Sequence, residues 1–175
     1  MTRSVEALDS EQAAKAATLS VIIPFVNSYS DIRNCLRRLR AQDVSLEITV
    51  IDRLGGEARA AMLRDYPEIV LIEAAPDATI PQMRAMGHAR ASAELVAVIE
   101  DHVMVPAYWA KRMIDAINEG EGHQVVAGAF ENTATDSKVD WAAFLCEYSS
   151  AIPPLPSGPV PGIPGNNTIY RKSLL

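Results

Sequence analysis

A chain of 175 residues, 49% hydrophobic and 22% charged, is long enough to bury one substantial core and has the composition of an ordinary soluble domain. Its formal net charge of −6 argues against a broad nucleic-acid-binding surface, while leaving room for a local basic pocket. Cys35 and Cys146 are too few for a disulfide framework, and Cys35, set among apolar helix positions, reads as a buried thiol.

Met1 to Thr18 is polar and alanine-rich, lacks the apolar core of a secretory signal and reads as a tail or frayed helix. No later stretch is long enough to span a bilayer. The expectation is a cytoplasmic protein with one domain over residues 19–175, any membrane association being peripheral, by surface contact at the inner face.

Leu19–Ile23 is a β-branched run ending at Pro24, after which Ser28 or Ser30 can cap a helix. In that helix Ile32, Cys35, Leu36 and Leu39 recur at i, i+3, i+4 and i+7, and most of the arginines fall elsewhere, so it is an amphipathic crossover. A second strand runs from Glu47 to Ile51 and stops at Asp52. Gly55-Gly56 turns into a helix ending near Tyr66-Pro67, and Ile69–Ile72 is the third strand. Pro81 suits the first turn of a helix reaching about Ala93, ahead of the strand Leu95–Ile99.

A helix from Ala107 to Asn118, stopping at Gly120, precedes the strand Val125–Phe130. From Asp140 to Ala151, Trp141, Phe144, Leu145 and Tyr148 have helical spacing, which reads by default as core packing. Six of the eleven prolines then fall between Pro153 and Pro164, excluding regular helix and giving a long, stiffened loop of the kind that often borders a binding site. Thr168–Arg171 is a last short strand. The alternation implies a mainly parallel sheet covered by helices, in the α/β class.

Glu100-Asp101-His102 stands just past the buried run Leu95–Ile99. Open α/β sheets bind ligands at the carboxyl ends of their strands, where an acidic and imidazole cluster can hold a divalent cation against a phosphate. The same three residues also fit a strand-to-loop junction whose acids are merely solvated. His88 and His123 have no comparable context and read as surface residues. No Gly-x-Gly-x-x-Gly follows the first strand, which weighs against a redox Rossmann domain.

The order of these segments resembles the family-2 glycosyltransferases and their GT-A, Rossmann-like fold. The resemblance covers about Leu19 to Leu175. It rests on Ser20-Val21-Ile22-Ile23-Pro24 with Asn27, Val50-Ile51-Asp52, Arg84-Ala85-Met86-Gly87, Glu100-Asp101-His102 with Pro106 and Trp109, and Gly165-Asn166-Asn167-Thr168-Ile169-Tyr170-Arg171. It implies that Pro24 and Asn27 lie against a nucleoside and that Asp52 contacts the base or ribose, although a carboxylate at that strand end equally fits a helix-cap or turn role. It also implies that Arg84 meets the diphosphate, and that Asp101 serves both the nucleotide-sugar and, with Glu100 and His102, a divalent metal. The mixed oxygen and nitrogen set suits Mn²⁺ better than Mg²⁺.

By the same resemblance, the donor is a nucleoside-diphosphate sugar, of UDP type. The acceptor is a hydroxyl on a glycan or lipid-linked glycan, and transfer inverts the anomeric carbon. Two departures stand out: Arg53-Leu54-Gly55 replaces an Asp-Gly-Ser-like turn, and Ala85 replaces an Asn. The family's catalytic base usually follows the segment matching Gly165 to Leu175, so the chain reads as incomplete at its C-terminus, with Glu131 the nearest in-chain acid. The alternative is a catalytically silent nucleotide-sugar-binding or interaction module.

Overall fold

The computed structural model describes residues 17–119 and 122–174. The reading of the first residues as a tail, and of Gly120 as a helix stop, lies outside them. Along the chain run β1 (Leu19–Phe25), α1 (Tyr29–Arg40), β2 (Leu46–Asp52), α2 (Gly56–Asp65), β3 (Val70–Glu73) and α3 (Ile80–Arg90). β4 (Leu95–Val98), α4 (Trp109–Glu119), β5 (Val125–Ala127), α5 (Lys138–Tyr148) and β6 (Thr168–Arg171) follow.

The described strands form one six-stranded sheet in the order β3-β2-β1-β4-β6-β5. β1, β2, β3 and β4 are mutually parallel, and β6 runs antiparallel between β4 and β5. The order reverses direction at β1, whose sequence neighbour β2 lies on one side and β4 on the other. In open α/β sheets that switch point is where the crevice forms.

The two faces of β1 separate the core into two layers. Leu19, Val21, Ile23 and Phe25 meet α1, α2 and α4 through Leu36, Met62 and Met113, whereas Ile22 meets α3 on the opposite face through Met83. The helix α1 buries Ile32, Cys35, Leu36 and Leu39, as its periodicity predicts, and Ser28 rather than Ser30 caps it by accepting from the Asp31 amide. On the other face α3 lies so close that a Cβ on Gly87 would stand 2.4 Å from Ile22 Cγ2 and 2.9 Å from Ile51 Cδ1. Only glycine lets that helix approach the sheet at this distance.

Pro24 lies inside β1 without breaking it. The Ile22 carbonyl accepts from the Ile99 amide at 3.1 Å, so Pro24, two residues on, turns its missing donor toward the same side, beyond Val98 where β4 has ended. A proline is tolerated where the neighbouring strand no longer asks for a hydrogen bond.

Two expectations change in the second half. β5 ends at Ala127 rather than Phe130: the Gly128 amide still bonds its register partner, the Asn167 carbonyl, but the Phe130 amide turns to the Ala151 carbonyl, and the Asn167 side chain fills the space a Cβ on Gly128 would need, at 2.5 Å. The apolar spacing of α5 does not mark a core helix: Val139, Trp141 and Leu145 are 75%, 43% and 46% exposed, and α5 has no buried residue. Its aromatic rings pair locally instead, with Phe130 stacked on Tyr148 at 4.4 Å and Trp141 edge-on to Phe144 at 6.3 Å. No helix among the described residues is long and apolar enough to cross a membrane.

Candidate functional site

A cleft of about 250 Å³ opens at the carboxyl ends of β1 and β4, walled by Pro24, Val26 and Asn27 on one side and Glu100, Asp101 and His102 on another, with Ile80 and Glu147 completing it. Its position follows from the switch in strand order. The first wall exists because β1 runs into a short loop before the Ser28 cap, the second because β4 ends and the chain turns away to the loop before α4.

Asp101 joins the two walls. It is 1% exposed; its Oδ2 accepts the Val26 and Asn27 amides, both at 2.8 Å, and its Oδ1 accepts Asn27 Nδ2 at 2.6 Å. Burial works against ionisation, yet hydrogen bonds from His102, Val26 and Asn27 outweigh it and hold the carboxyl below its ordinary range. With these donors in place both carboxylate oxygens are engaged by the protein at the cleft wall.

His102, half-exposed, places Nδ1 at 3.3 Å from Asp101 Oδ1 and Nε2 at 3.5 Å from Glu100 Oε2. The Asp101 hydrogen bond raises its pKa against the opposing effect of burial, and Glu100 adds to the rise. In the neutral ring Nδ1–H donates to Asp101, which leaves a lone pair on Nε2 facing a carboxylate oxygen. Two acceptors face each other, so only a cation makes the arrangement favourable: a proton on Nε2 or a metal ion between the two atoms.

Glu100 is held from other directions as well. The Tyr148 hydroxyl, kept protonated by burial, donates to Glu100 Oε2 at 3.3 Å and accepts from Asn166 Nδ2 at 2.9 Å. Arg84 Nη2 stands 3.9 Å from Glu100 Oε1, and its Nε is buried without a hydrogen-bond partner. A Cβ on Gly165 would come within 2.7 Å of Arg84 Nη1, so the loop before β6 presses against the guanidinium.

Asp52 lies elsewhere. It is fully buried, and its Oδ1 accepts the Leu54 and Gly55 amides at 2.8 and 3.0 Å while Oδ2 accepts Arg59 Nε at 2.6 Å. Arg59 continues to Glu73 at 2.5 Å. This is the turn role that the sequence left open beside base or ribose contact, and it forms the sharp entry to α2, where Gly55 and Gly56 both have positive φ. Pro24, Asn27, Glu100, Asp101 and His102 thus converge on one cleft, with Arg84 against Glu100 and Asp52 at a neighbouring strand end.

Glu131 is exposed and absent from the cleft wall, whereas Glu147, which the sequence did not single out, is on it. The signal was in the adjacent residue: a Tyr at an apolar-spaced position carries a hydroxyl that seeks a polar partner, and Tyr148 finds Glu100. His88 is half-buried and stacks on Tyr170 with ring centroids 5.9 Å apart, so it belongs to the packing under β6.

The sequence matches the family described as Glycosyl transferase family 2 over residues 20–175. The chain belongs to that family. Among solved structures, family 2's GT-A architecture is seen in the 1–349 fragment of S. aureus TarS, with a TM-score of 0.66 and 16% identity over 90% of this chain and 48% of that one. A mannosyltransferase from Pyrobaculum calidifontis, PcManGT, solved with GDP-Man and Mn²⁺, has a TM-score of 0.65 and 16% identity over 92% of this chain and 46% of its own. The TarS fragment in complex with UDP-GlcNAc gives 0.63 and 16% identity over 90% of this chain and 46% of that one. The chain therefore spans about half the length of these structures. No curated protein matches the sequence.

Proposed function

We propose that the cleft between β1 and β4 binds a nucleoside-diphosphate sugar, of UDP type, and that the protein serves inverting transfer of the sugar to an acceptor hydroxyl on a glycan or lipid-linked glycan. The observation that carries this reading is the pair Glu100 and His102, which present Oε2 and Nε2 to each other at 3.5 Å in a cleft at the sheet's switch point. Support comes from the solved relatives, which hold UDP-GlcNAc, UDP or GDP-Man.

Charge decides what the cleft requires. Glu100, Asp101 and Glu147 line it, so an anionic diphosphate approaches carboxylates and is repelled unless a cation intervenes. Glu100 Oε2 and His102 Nε2 would hold a divalent ion, and their mixed oxygen and nitrogen donor set favours Mn²⁺ over Mg²⁺. No group of three metal-ligating side chains occurs among the described residues, so diphosphate oxygens and water would complete the shell. When bound, the ion supplies neutralisation of the leaving diphosphate.

The chain's own residues supply the rest of the donor site. Asn27 and the backbone beside Pro24 border the nucleoside, and Arg84 holds Glu100 in place while offering a cation to a phosphate oxygen. Asp52 supports the base end indirectly, by fixing the Arg53–Gly56 turn. Residues 19–175 constitute the donor-binding portion, working in the cytoplasm, with access to lipid-linked acceptors at the inner membrane face.

Calorimetry with UDP, GDP and their sugars, with and without Mn²⁺, tests the proposal. Saturable binding that tightens with Mn²⁺, more than with Mg²⁺, and is weakened by His102→Ala is the expected result. Absence of saturable binding to every nucleotide in both conditions would falsify it.

A further inference from the structure

We infer that Asp101 is a positioning residue: its buried carboxylate locks the Val26–Asn27 loop to the end of β4 and orients His102 so that Nε2, rather than Nδ1, is offered to the cleft. Its consequence for metal and donor binding rests on the function proposed above, whereas the geometric role stands on contacts within the chain.

Three donors converge on Asp101 from residues 74 and 75 positions upstream: the Val26 amide, the Asn27 amide and Asn27 Nδ2, at 2.8, 2.8 and 2.6 Å. Two consecutive backbone amides aimed at one carboxylate oxygen fix the path of the loop as well as its distance from β4. Val26 and Asn27 have no strand partner in the ladders of β1, so this carboxylate takes the place of the missing sheet hydrogen bonds. The other oxygen, Oδ1, is shared between Asn27 Nδ2 and His102 Nδ1, which are themselves 3.4 Å apart.

A carboxylate accepts and never donates when ionised, so the His102 nitrogen beside it carries the hydrogen and the far nitrogen carries the lone pair. Buried carboxylates that set the tautomer of a ligating imidazole act in this way at metal sites in general. Asp101 itself is 1% exposed with both oxygens engaged, so its hydrogen-bonding capacity at the cleft wall is spent on its neighbours. One residue thereby sets both the nucleoside-side loop and the metal-side imidazole.

The test uses the 175-residue chain and nitrogen-15 NMR of its three histidines, with His102 assigned by the loss of its signal in His102→Gln. At a pH where the ring is neutral, wild-type His102 is expected as the Nδ1–H tautomer, and in Asp101→Asn it should shift toward Nε2–H. Amide hydrogen exchange of Val26 and Asn27 should accelerate by about tenfold or more, the scale set by losing a hydrogen bond to a charged acceptor. Mn²⁺ affinity, measured without nucleotide by paramagnetic broadening of the His102 signals, should fall in the same variant.

If Asp101→Asn fails to fold, Asn27→Ala replaces it: it removes only the side-chain bond, so the Nδ1–H tautomer should persist while Val26 and Asn27 stay protected. Wild-type His102 as the Nε2–H tautomer overturns the inference. So does an Asp101→Asn variant with unchanged tautomer and exchange, or an Asn27→Ala variant that loses the tautomer. Wild type with the expected tautomer but no Mn²⁺ or nucleotide binding sinks the proposed function and leaves Asp101's role intact.

Discussion

The sheet's first four strands and the segment from α5 to the proline-rich loop are built on opposite terms. Around β1 every apolar position is paired with another: Leu19, Ile22, Ile23, Leu36 and Met83 are all essentially inaccessible to solvent. From Val139 to Ile163, by contrast, Val139, Trp141, Leu145, Leu155, Val160 and Ile163 are exposed. Yet both regions reach the cleft, the first through Asn27, Glu100 and His102 and the second through Glu147 and Tyr148. Donor-side geometry therefore stands on a rigid base, while the opposite wall rests on local aromatic pairs and one tyrosine hydroxyl. Position on a ligand site and depth in the core are separable properties.

The most forceful way to break this contrast is to empty both regions. Leu36→Ala in α1 should lower unfolding free energy by about 2–5 kcal/mol, because the lost side chain leaves a cavity among packed neighbours. Leu145→Ala should change it by no more than about 0.5 kcal/mol. Urea denaturation of the two variants compares them directly, and equal losses would show that α5 is packed in solution.

Overfilling comes next. Gly87→Ala should cost about 1–3 kcal/mol, since its new methyl meets the branched side chains of Ile22 and Ile51 and must push α3 off the sheet. Thermal melts read the loss, and an unchanged midpoint would mean that the helix accommodates the methyl without strain.

A smaller and sharper comparison uses two equivalent caps. Thr79 and Ser137 each close a capping box, at the starts of α3 and α5. Thr79→Ala should lower global stability by about 1 kcal/mol. Ser137→Ala should leave global stability nearly unchanged and speed amide exchange within α5 alone. If both lower global stability alike, the two helices belong to one cooperative unit.

The smallest expected effect is a pH dependence. Burial opposes ionisation of Glu47, but hydrogen bonds from Ser20 and Ser92, with Arg90 nearby, bring its pKa below the ordinary value. Its contribution is therefore complete above the ordinary carboxylate range and is lost as pH falls through the lowered folded pKa. Glu47→Gln should flatten the acid limb of the stability profile there. His102 has the opposite sign: its raised pKa means that protonation persists to higher pH, so Mn²⁺ binding should strengthen as pH rises through that value. Mn²⁺ titrations across neutral pH check it.

Most of the fold was legible because two periods dominate it. The i, i+3, i+4, i+7 spacing of Ile32, Cys35, Leu36 and Leu39 and the β-branched runs of β1 and β2 each have one physical interpretation once a sheet is assumed. The same spacing misled at α5, since a helical period says which residues share a face and nothing about what lies against it. At the site, spacing located Glu100, Asp101 and His102 but could not distribute their roles: the donors that occupy Asp101 come from Val26 and Asn27. Asp52 was ambiguous for a related reason, because a carboxylate that can accept from a ligand can equally accept from its own turn. Glu147 was signalled only through its neighbour Tyr148, since its own place on the cleft wall depends on where α5 comes to rest.

The placement of β6 also sets a timetable for synthesis. β4 is bordered by β1 on one side, but on the other it waits for Thr168–Arg171, and among the described strands β5 pairs with β6 alone. On a ribosome making roughly 5–20 residues per second, several seconds separate the emergence of β4 from that of the strand that covers it. Throughout that interval the apolar edge Leu95–Val98 is an open template for another chain. Nascent-chain aggregation should accordingly peak in intermediates that have finished β5 and not yet begun β6, which makes β6 the strand that shields the edge of β4.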